Sequence, residues 1–234
     1  MNKKLPFLIS VSHGGLKVPQ EVAKYSLLTL DEIIADGDVG SMEIYAPLKS
    51  NVDQFVLTDI ARAFVDVNRA PNDLRKDGVV KTHTCWDVPI YSSPLTHEQI
   101  NSLLERYYYP YHETLTQLSK SGVILGIDCH TMAAVGPPVG PDTGQERPNA
   151  CLGNADGTCP DSWIETLRVF LAKRLPGEVT INRPFSGGYI TRNHANEMPW
   201  LQLELSRGDF ASCVEKSNWI FEALRDTYNS IKNS

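Results

Sequence analysis

A chain of 234 residues with 41% hydrophobic and 21% charged residues has the makeup of a globular protein with one buried core, which excludes intrinsic disorder. Its formal net charge of −6 offers no basic field for a phosphate backbone, so nucleic acid is not an expected partner. No apolar run reaches the roughly 20 residues that cross a bilayer, and residues 1–9, interrupted by Pro6, are too short for an export signal.

The five cysteines, Cys85, Cys129, Cys151, Cys159 and Cys213, are odd in number and lack CxxC spacing, which argues against a disulfide framework or a Cys-rich zinc knuckle. The composition therefore predicts a reduced, cytoplasmic protein, with a single domain over residues 1–234 and no membrane partner. The oligomeric state is not legible.

Residues 5–12 are mostly apolar and end in Ser12-His13-Gly14-Gly15, the pattern of a buried strand running into a tight loop. Residues 54–58 and 63–67 read as two more strands. Residues 96–119 read as a helix, with Thr96 as N-cap and Gln99 completing a capping box. Residues 123–127 are a strand that stops at Asp128-Cys129-His130. The Gly/Pro-rich stretch 135–157 is a long loop, of the kind that usually carries function. Residues 161–175 predict a helix with an Asp cap, 178–181 a strand, 200–205 a strand exposing one face, and 210–231 an amphipathic helix. Strands alternating with crossover-length connections predict an α/β layered sheet.

Three strand ends carry reactive side chains: His13, His130 and Glu204. Ligand sites in open α/β sheets lie outside the carboxyl ends of the strands, so the three can meet in one crevice. Two histidines and a carboxylate are the usual protein ligands of a catalytic zinc, with a position left for water, and a separate carboxylate then moves the water's proton. A strand-end histidine is equally compatible with a structural hydrogen bond, and spacing alone does not separate the two. Asp128, two residues before His130, shares its face and either orients the imidazole or serves a turn. Cys129 falls on the opposite face, toward the core. The segment Ala61-Arg62-Ala63-Phe64-Val65-Asp66-Val67-Asn68-Arg69 supplies a carboxylate receptor in Asn68 and Arg69 and a candidate catalytic cation in Arg62, a surface ion pair being the alternative. His112 lies among tyrosines on the long predicted helix, a packing position.

Taken in order along the chain, several segments resemble the N-formylglutamate amidohydrolase (deformylase) family. They are Ile9-Ser10-Val11-Ser12-His13-Gly14-Gly15 with Pro19, Val65-Asp66-Val67-Asn68-Arg69, Tyr108-Tyr109-Pro110-Tyr111-His112 and Asp128-Cys129-His130-Thr131-Met132. Gly153-Asn154-Ala155-Asp156-Gly157, Phe185-Ser186-Gly187-Gly188-Tyr189-Ile190-Thr191-Arg192 and Gln202-Leu203-Glu204-Leu205 complete the series. The resemblance implies a zinc-carboxypeptidase-like, phosphorylase/hydrolase-like α/β fold: a mixed, mostly parallel twisted sheet between helices. Asp66-Val67-Asn68-Arg69 is also similar to the Asp-Leu-Asn-Arg segment of the aspartoacylases.

By that likeness His13 and His130 bind one zinc, or another divalent ion. Glu204 acts as general base and then acid, and Asn68 and Arg69 hold a substrate carboxylate. Arg192 stands where an oxyanion stabiliser or second carboxylate clamp would help, a surface ion pair again being the alternative. The third ligand departs from the carboxypeptidase pattern: three residues after His13 stands Leu16, not Glu. Asp38 is the choice by resemblance, with Asp36 and Glu43 as fallbacks, although Asp36-Gly37-Asp38 also reads as a turn. The implied activity is hydrolysis of a small anionic N-acyl, above all N-formyl, acidic amino acid. A zinc amidase or carboxypeptidase acting on peptides and a non-catalytic carboxylate-binding protein are the rival readings.

Overall fold

The computed structural model describes residues 4–137, 142–155 and 157–232. Residues 138–141 of the predicted long loop, and Asp156, lie outside the described residues.

Six strands form one sheet: β1 (Leu5–Val11), β2 (Val52–Leu57), β3 (Leu125–Met132), β4 (Ala150–Gly153), β5 (Val179–Ile181) and β6 (Trp200–Ser206). Their order is β2-β1-β3-β6-β4-β5, and every neighbouring pair is parallel except β4 with β6. The seven α-helices described are α1 (Leu30–Asp36), α2 (Ser41–Tyr45), α3 (His97–Leu103), α4 (Tyr109–Ser119), α5 (Asp161–Ala172), α6 (Tyr189–His194) and α7 (Cys213–Ile231). This is the mixed, mostly parallel sheet between helices that the sequence predicts.

The sheet separates two cores. On one face Phe7, Ile9, Ile127 and Leu203 pack against Ile164 and Leu167 of α5 and Ile220 and Leu224 of α7. On the other, Leu8 and Trp200 meet Leu103, Tyr108 and Leu115 of the α3–α4 region and Phe64, Val65 and Val67 of an irregular segment. A central parallel strand buried on both faces reads as a nearly continuous apolar run, which is why residues 5–12 and 123–127 were legible.

Four differences from the sequence reading bear on the site. Residues 63–67 are all buried but form no strand: Phe64 N donates to Ala61 O at 3.0 Å and Asp66 N to Val79 O at 2.8 Å, turn-like and loop bonds instead of a ladder. An apolar run without alternation specifies burial, not extension. β3 continues past residue 127, so Asp128, Cys129 and His130 sit inside the strand. β6 exposes no face, because it lies between β3 and β4 with helices packed on the sheet, and all seven of its residues are buried. Finally, α5 begins after Pro160 with no side-chain cap, and Asp161 accepts instead from Asn154 Nδ2 at 3.0 Å.

The capping box of Thr96 and Gln99 forms as predicted. The long helix is interrupted by a π turn over Leu104–Tyr108, next to Pro110, which cannot donate to the carbonyl four residues back. Helices α2 and α6 carry no clear local signature, whereas α1 does, since Thr29 and Glu32 form a capping box; strand β4 lies inside the stretch 135–157 expected to be a loop.

Where β3 meets β6, a Cβ on Gly126 would lie 2.3 Å from the Trp200 ring. Gly126→Ala is expected to lower unfolding free energy by about 1–3 kcal/mol through overpacking. Urea denaturation reads this directly, and an unchanged midpoint would contradict the packing.

Candidate active site

The site forms at the carboxyl ends of β1, β3 and β6. His13 follows β1 by two residues, while His130 on β3 and Glu204 on β6 are register partners. Asp38 comes from the loop after α1, pinned by its backbone N–H donating to His13 O at 3.2 Å.

Three side-chain atoms converge. His130 Nδ1 lies 2.9 Å from Asp38 Oδ2 and 3.1 Å from His13 Nδ1, and His13 Nδ1 lies 3.5 Å from Asp38 Oδ2. All three residues are buried, and together they could hold a metal ion. The opposite nitrogens are held by two further carboxylates. His13 Nε2 is 2.8 Å from Asp66 Oδ1, and His130 Nε2 is 2.7 Å from Asp128 Oδ2. Each imidazole is therefore turned so that Nδ1 faces the common centre. Of the alternatives to Asp38, Asp36 points elsewhere, accepting from Lys81 Nζ at 2.9 Å and Cys85 N at 2.6 Å, and Glu43 is exposed on α2.

The supporting carboxylates are themselves supported. Asp66, fully buried, also accepts from Arg62 Nε at 3.1 Å and Asn68 N at 2.9 Å. Asp128, fully buried, accepts from Ser10 Oγ at 2.8 Å, Ser12 Oγ at 3.3 Å and Asn68 Nδ2 at 3.1 Å. Arg207 braces Asp38 from outside: its Nη2 donates to Gly37 O at 2.8 Å and lies 3.6 Å from Asp38 Oδ1.

Charge follows this geometry. Burial works against an ionised Asp38, but His13 and His130 outweigh it and hold its carboxyl well below the usual range. Burial likewise opposes ionisation of Asp66, and His13 and Arg62 override it. For His130 burial opposes the charge, while Asp128 and Glu204 reverse the balance and raise its pKa well above normal. Glu204 is the exception: burial dominates and raises its pKa, with Asp38 adding to the effect and His130, His13 and Arg62 resisting it. Gln202 Nε2 donates to Glu204 Oε1 at 2.7 Å.

His13, Asp38, His130, Gln202 and Glu204 line a cavity of about 740 Å³ that also presents Arg62, Arg69, Lys76, Lys81, Arg147 and Arg207. On a chain of net charge −6 this is a local concentration of cations, yet most are already neutralised. Arg62 pairs with Asp66, Lys76 with Asp87, Lys81 with Asp36 and Arg147 with Asp142. Arg69 has no carboxylate within 4.0 Å among the described residues; it donates only to the carbonyls of Asp77 at 3.4 Å and Asn68 at 3.5 Å.

The sequence reading of Asn68 needs revision. Although it lines the cavity, its amide is engaged within the protein, donating to Asp128 and accepting from Ile190 N at 2.8 Å. Gly188 lies so close that a Cβ there would be 2.3 Å from Asn68 Nδ2. Arg192 is exposed on α6 and is not part of the cavity wall; its Nη2 donates to Ser186 Oγ at 3.2 Å. Arg207 and Gln202 were not singled out from sequence. Gln202 could have been found by the same period-two argument that linked Asp128 to His130, since it precedes Glu204 by two positions in a strand. Lys81 gave no signal in its apolar surroundings.

His112 stays outside the cavity. Its Nε2 is 2.9 Å from Val67 O, its Nδ1 2.8 Å from His194 Nε2, and His194 Nδ1 is 2.9 Å from Glu197 Oε2. This pair fastens α4 and α6 to the segment that carries Asn68 and Arg69.

The fold and the site define a mixed α/β protein with a buried His/Asp/His centre at the carboxyl ends of a mostly parallel sheet. The crystal structure of an N-formylglutamate amidohydrolase from Ralstonia eutropha JMP134 shares this fold, with a TM-score of 0.79 at 18% identity over 100% of this chain and 96% of that one. So does that of gene product Atu2144 from Agrobacterium tumefaciens, with a TM-score of 0.78 at 17% identity over 98% and 92%. No curated protein matches the sequence. The family model for N-formylglutamate amidohydrolase matches residues 5–210. The chain belongs to that family and is a hydrolase of the amidohydrolase type. Among the described residues no helix is long and apolar enough to cross a membrane.

Burial, reinforced by His194, pushes the His112 pKa down to about 4. An unfolded histidine titrates near 6.5, so below that pH the unfolded chain binds a proton that the native one refuses. Stability is then lost as pH falls from about 6.5 to about 4, with this residue contributing a slope of about 1.4 kcal/mol per pH unit. His112→Phe is expected to remove that slope while lowering stability at neutral pH, as read by denaturation at a series of pH values. An unaltered acid slope would refute the assignment.

Proposed function

We propose that the protein hydrolyses the amide bond of an N-formylated acidic amino acid such as N-formylglutamate, using one zinc ion held by His13, Asp38 and His130. The observation that carries this is the convergence of those three donors beside Glu204. Ligand atoms about 2.0 Å from a tetrahedral zinc stand about 3.3 Å apart. The three separations here, 2.9, 3.1 and 3.5 Å, bracket that value. Histidines that ligate such an ion are usually held through the far nitrogen by a carboxylate, as Asp66 and Asp128 hold these two.

Zinc, when bound, supplies a polarised acyl carbonyl and a water acidified towards a pKa of about 7. The rest of the chemistry falls to side chains. Glu204 takes a proton from water as the new C–O bond forms. When the C–N bond breaks, its electron pair goes to nitrogen, and Glu204 returns the proton there, giving formate and the free amino acid. A carboxyl whose pKa is raised by burial suits this two-way transfer better than a solvated one. Arg69, the cavity cation without a carboxylate partner among the described residues, receives a substrate carboxylate as a bidentate fork. The cations around it favour an anionic amino acid over a neutral one.

Chelation is expected to abolish turnover of N-formylglutamate, and about one equivalent of zinc per chain to restore it. Glu204→Gln is expected to retain zinc and lose on the order of 10²–10⁴-fold in kcat. Near-normal turnover by that variant, or a preference for unformylated peptides in a substrate panel, would refute the reading. Asp66→Asn is expected to weaken zinc binding by about 10–100-fold with the fold retained, measured by competition with a chromophoric chelator.

A further inference from the structure

The loop that presents Asp38 is tied down on both sides of that residue. Gly37 O accepts from Arg207 Nη2 at 2.8 Å, Asp38 N donates to His13 O at 3.2 Å, and Val39 O accepts from Thr131 Oγ1 at 2.8 Å. Arg207 completes the arrangement, since its Nε donates to Thr131 Oγ1 and its Nη2 to Thr131 O, each at 3.1 Å. Its backbone N–H carries the pairing of β6 with β3 one residue further by donating to Met132 O at 2.8 Å. The strand that delivers Glu204 therefore also delivers the guanidinium that fastens the Asp38 loop to the strand of His130.

The two oxygens of the Asp38 carboxylate have different surroundings. Oδ2 is turned to the centre, 2.9 Å from His130 Nδ1 and 3.5 Å from His13 Nδ1. Thr131 N donates to the same oxygen at 3.2 Å, so one of its lone pairs is spent and the other is aimed at the centre. Oδ1 faces Arg207 Nη2 at 3.6 Å, too far for a hydrogen bond but within reach of charge attraction. Both hydrogens of that nitrogen are already committed to Gly37 O and Thr131 O. Rotating the carboxylate to offer both oxygens to an ion would pull Oδ2 off the Thr131 N–H and Oδ1 away from the guanidinium.

We propose that Arg207 and Thr131 are positioning residues that restrict Asp38 to a single ligating oxygen, Oδ2. The protein then gives its ion three donor atoms and keeps a fourth position open for water and substrate. This rests on the metal site proposed above and deepens it. Three protein donors with an open position suit tetrahedral zinc or cobalt, whereas manganese and calcium ask for more oxygen donors. The fork of the guanidinium, not its charge, sets the restriction. A cation 3.6 Å from a metal ligand repels the ion, so if Arg207 acted through charge alone, its removal would tighten binding of every divalent ion alike. Loss of the fork instead frees the loop and lets Oδ1 join Oδ2, which favours ions of higher coordination number.

The test loads metal-free full-length protein with Co(II), whose visible absorption is strong in four-coordinate sites and weaker in five- or six-coordinate ones. Wild-type protein is expected to show the strong bands, and Arg207→Met to lose at least about twofold in intensity at full Co(II) occupancy. Arg207→Lys keeps the charge but not the fork, and is expected to resemble Arg207→Met. Competition with a chromophoric chelator is expected to show the preference for Zn(II) over Mn(II) falling on the order of tenfold in both variants. Weak Co(II) bands in wild-type protein overturn the proposal even if neither variant folds. So does a zinc-loaded crystal structure with both Asp38 oxygens within about 2.5 Å of the ion. A wild-type spectrum in either variant, or a uniform tightening of Zn(II) and Mn(II), has the same consequence. In each of those cases the protein still binds its ion. Protein that takes up no divalent ion at all is the separate result that removes the metal site, and this restriction with it.

Discussion

Two carboxylates buried out of water set the direction of two imidazoles, and the rest of the site depends on that constraint. Asp66 and Asp128 are fully buried, and each grips a histidine by Nε2. Isolated anions in such a place would be prohibitively costly, so each is surrounded by donors: Arg62 and the Asn68 N–H for one, Ser10, Ser12 and the Asn68 amide for the other. With the far nitrogens occupied, only Nδ1 of each ring is left to face Asp38. The centre is preorganised by its backing, and the elements that carry the backing are consequently as important to it as the three converging residues.

The irregular segment between β2 and α3 shows how this is arranged. Its residues 63–68 are buried like a strand but belong to no sheet, so their backbone polar groups are met by turns, loops and side chains. That freedom lets Arg62, Asp66, Asn68 and Arg69, neighbours in sequence, face different partners. Arg62 and Asp66 look toward His13, Asn68 toward Asp128 and α6, and Arg69 into the cavity. A regular strand would have put Arg62, Asp66 and Asn68 on one face and Arg69 on the other. The stacked His112 and His194 rings, 5.2 Å apart and 9° from parallel, clamp this segment through the Val67 carbonyl, linking helix packing to the cavity wall.

The electrostatics of the cavity invert those of the whole chain. A protein of net charge −6 gathers six cationic side chains around one hollow, then cancels or engages most of them with its own carboxylates and carbonyls. What is left is a focused field with one guanidinium not committed to a carboxylate among the described residues, which discriminates among anions more sharply than an evenly basic surface would.

The sequence alone determined that strands and helices alternate around a layered sheet, because buried parallel strands and capped amphipathic helices leave local patterns in hydrophobicity and in residues such as Thr96 and Gln99. It also singled out His13, His130 and Glu204, since polar residues at the ends of apolar runs are conspicuous. Only the tertiary structure decided which acidic residue joins them, turning Asp38 inward and Asp36 toward Lys81, for the two are chemically alike and two positions apart. It likewise committed the Asn68 amide to the protein interior, put Arg192 outside the cavity wall and, among the described residues, left the buried Gln202 Oε1 without a donor. Such outcomes depend on which groups from distant segments meet, and hydrogen-bond satisfaction is a property of that three-dimensional encounter, with no periodicity along the chain to announce it.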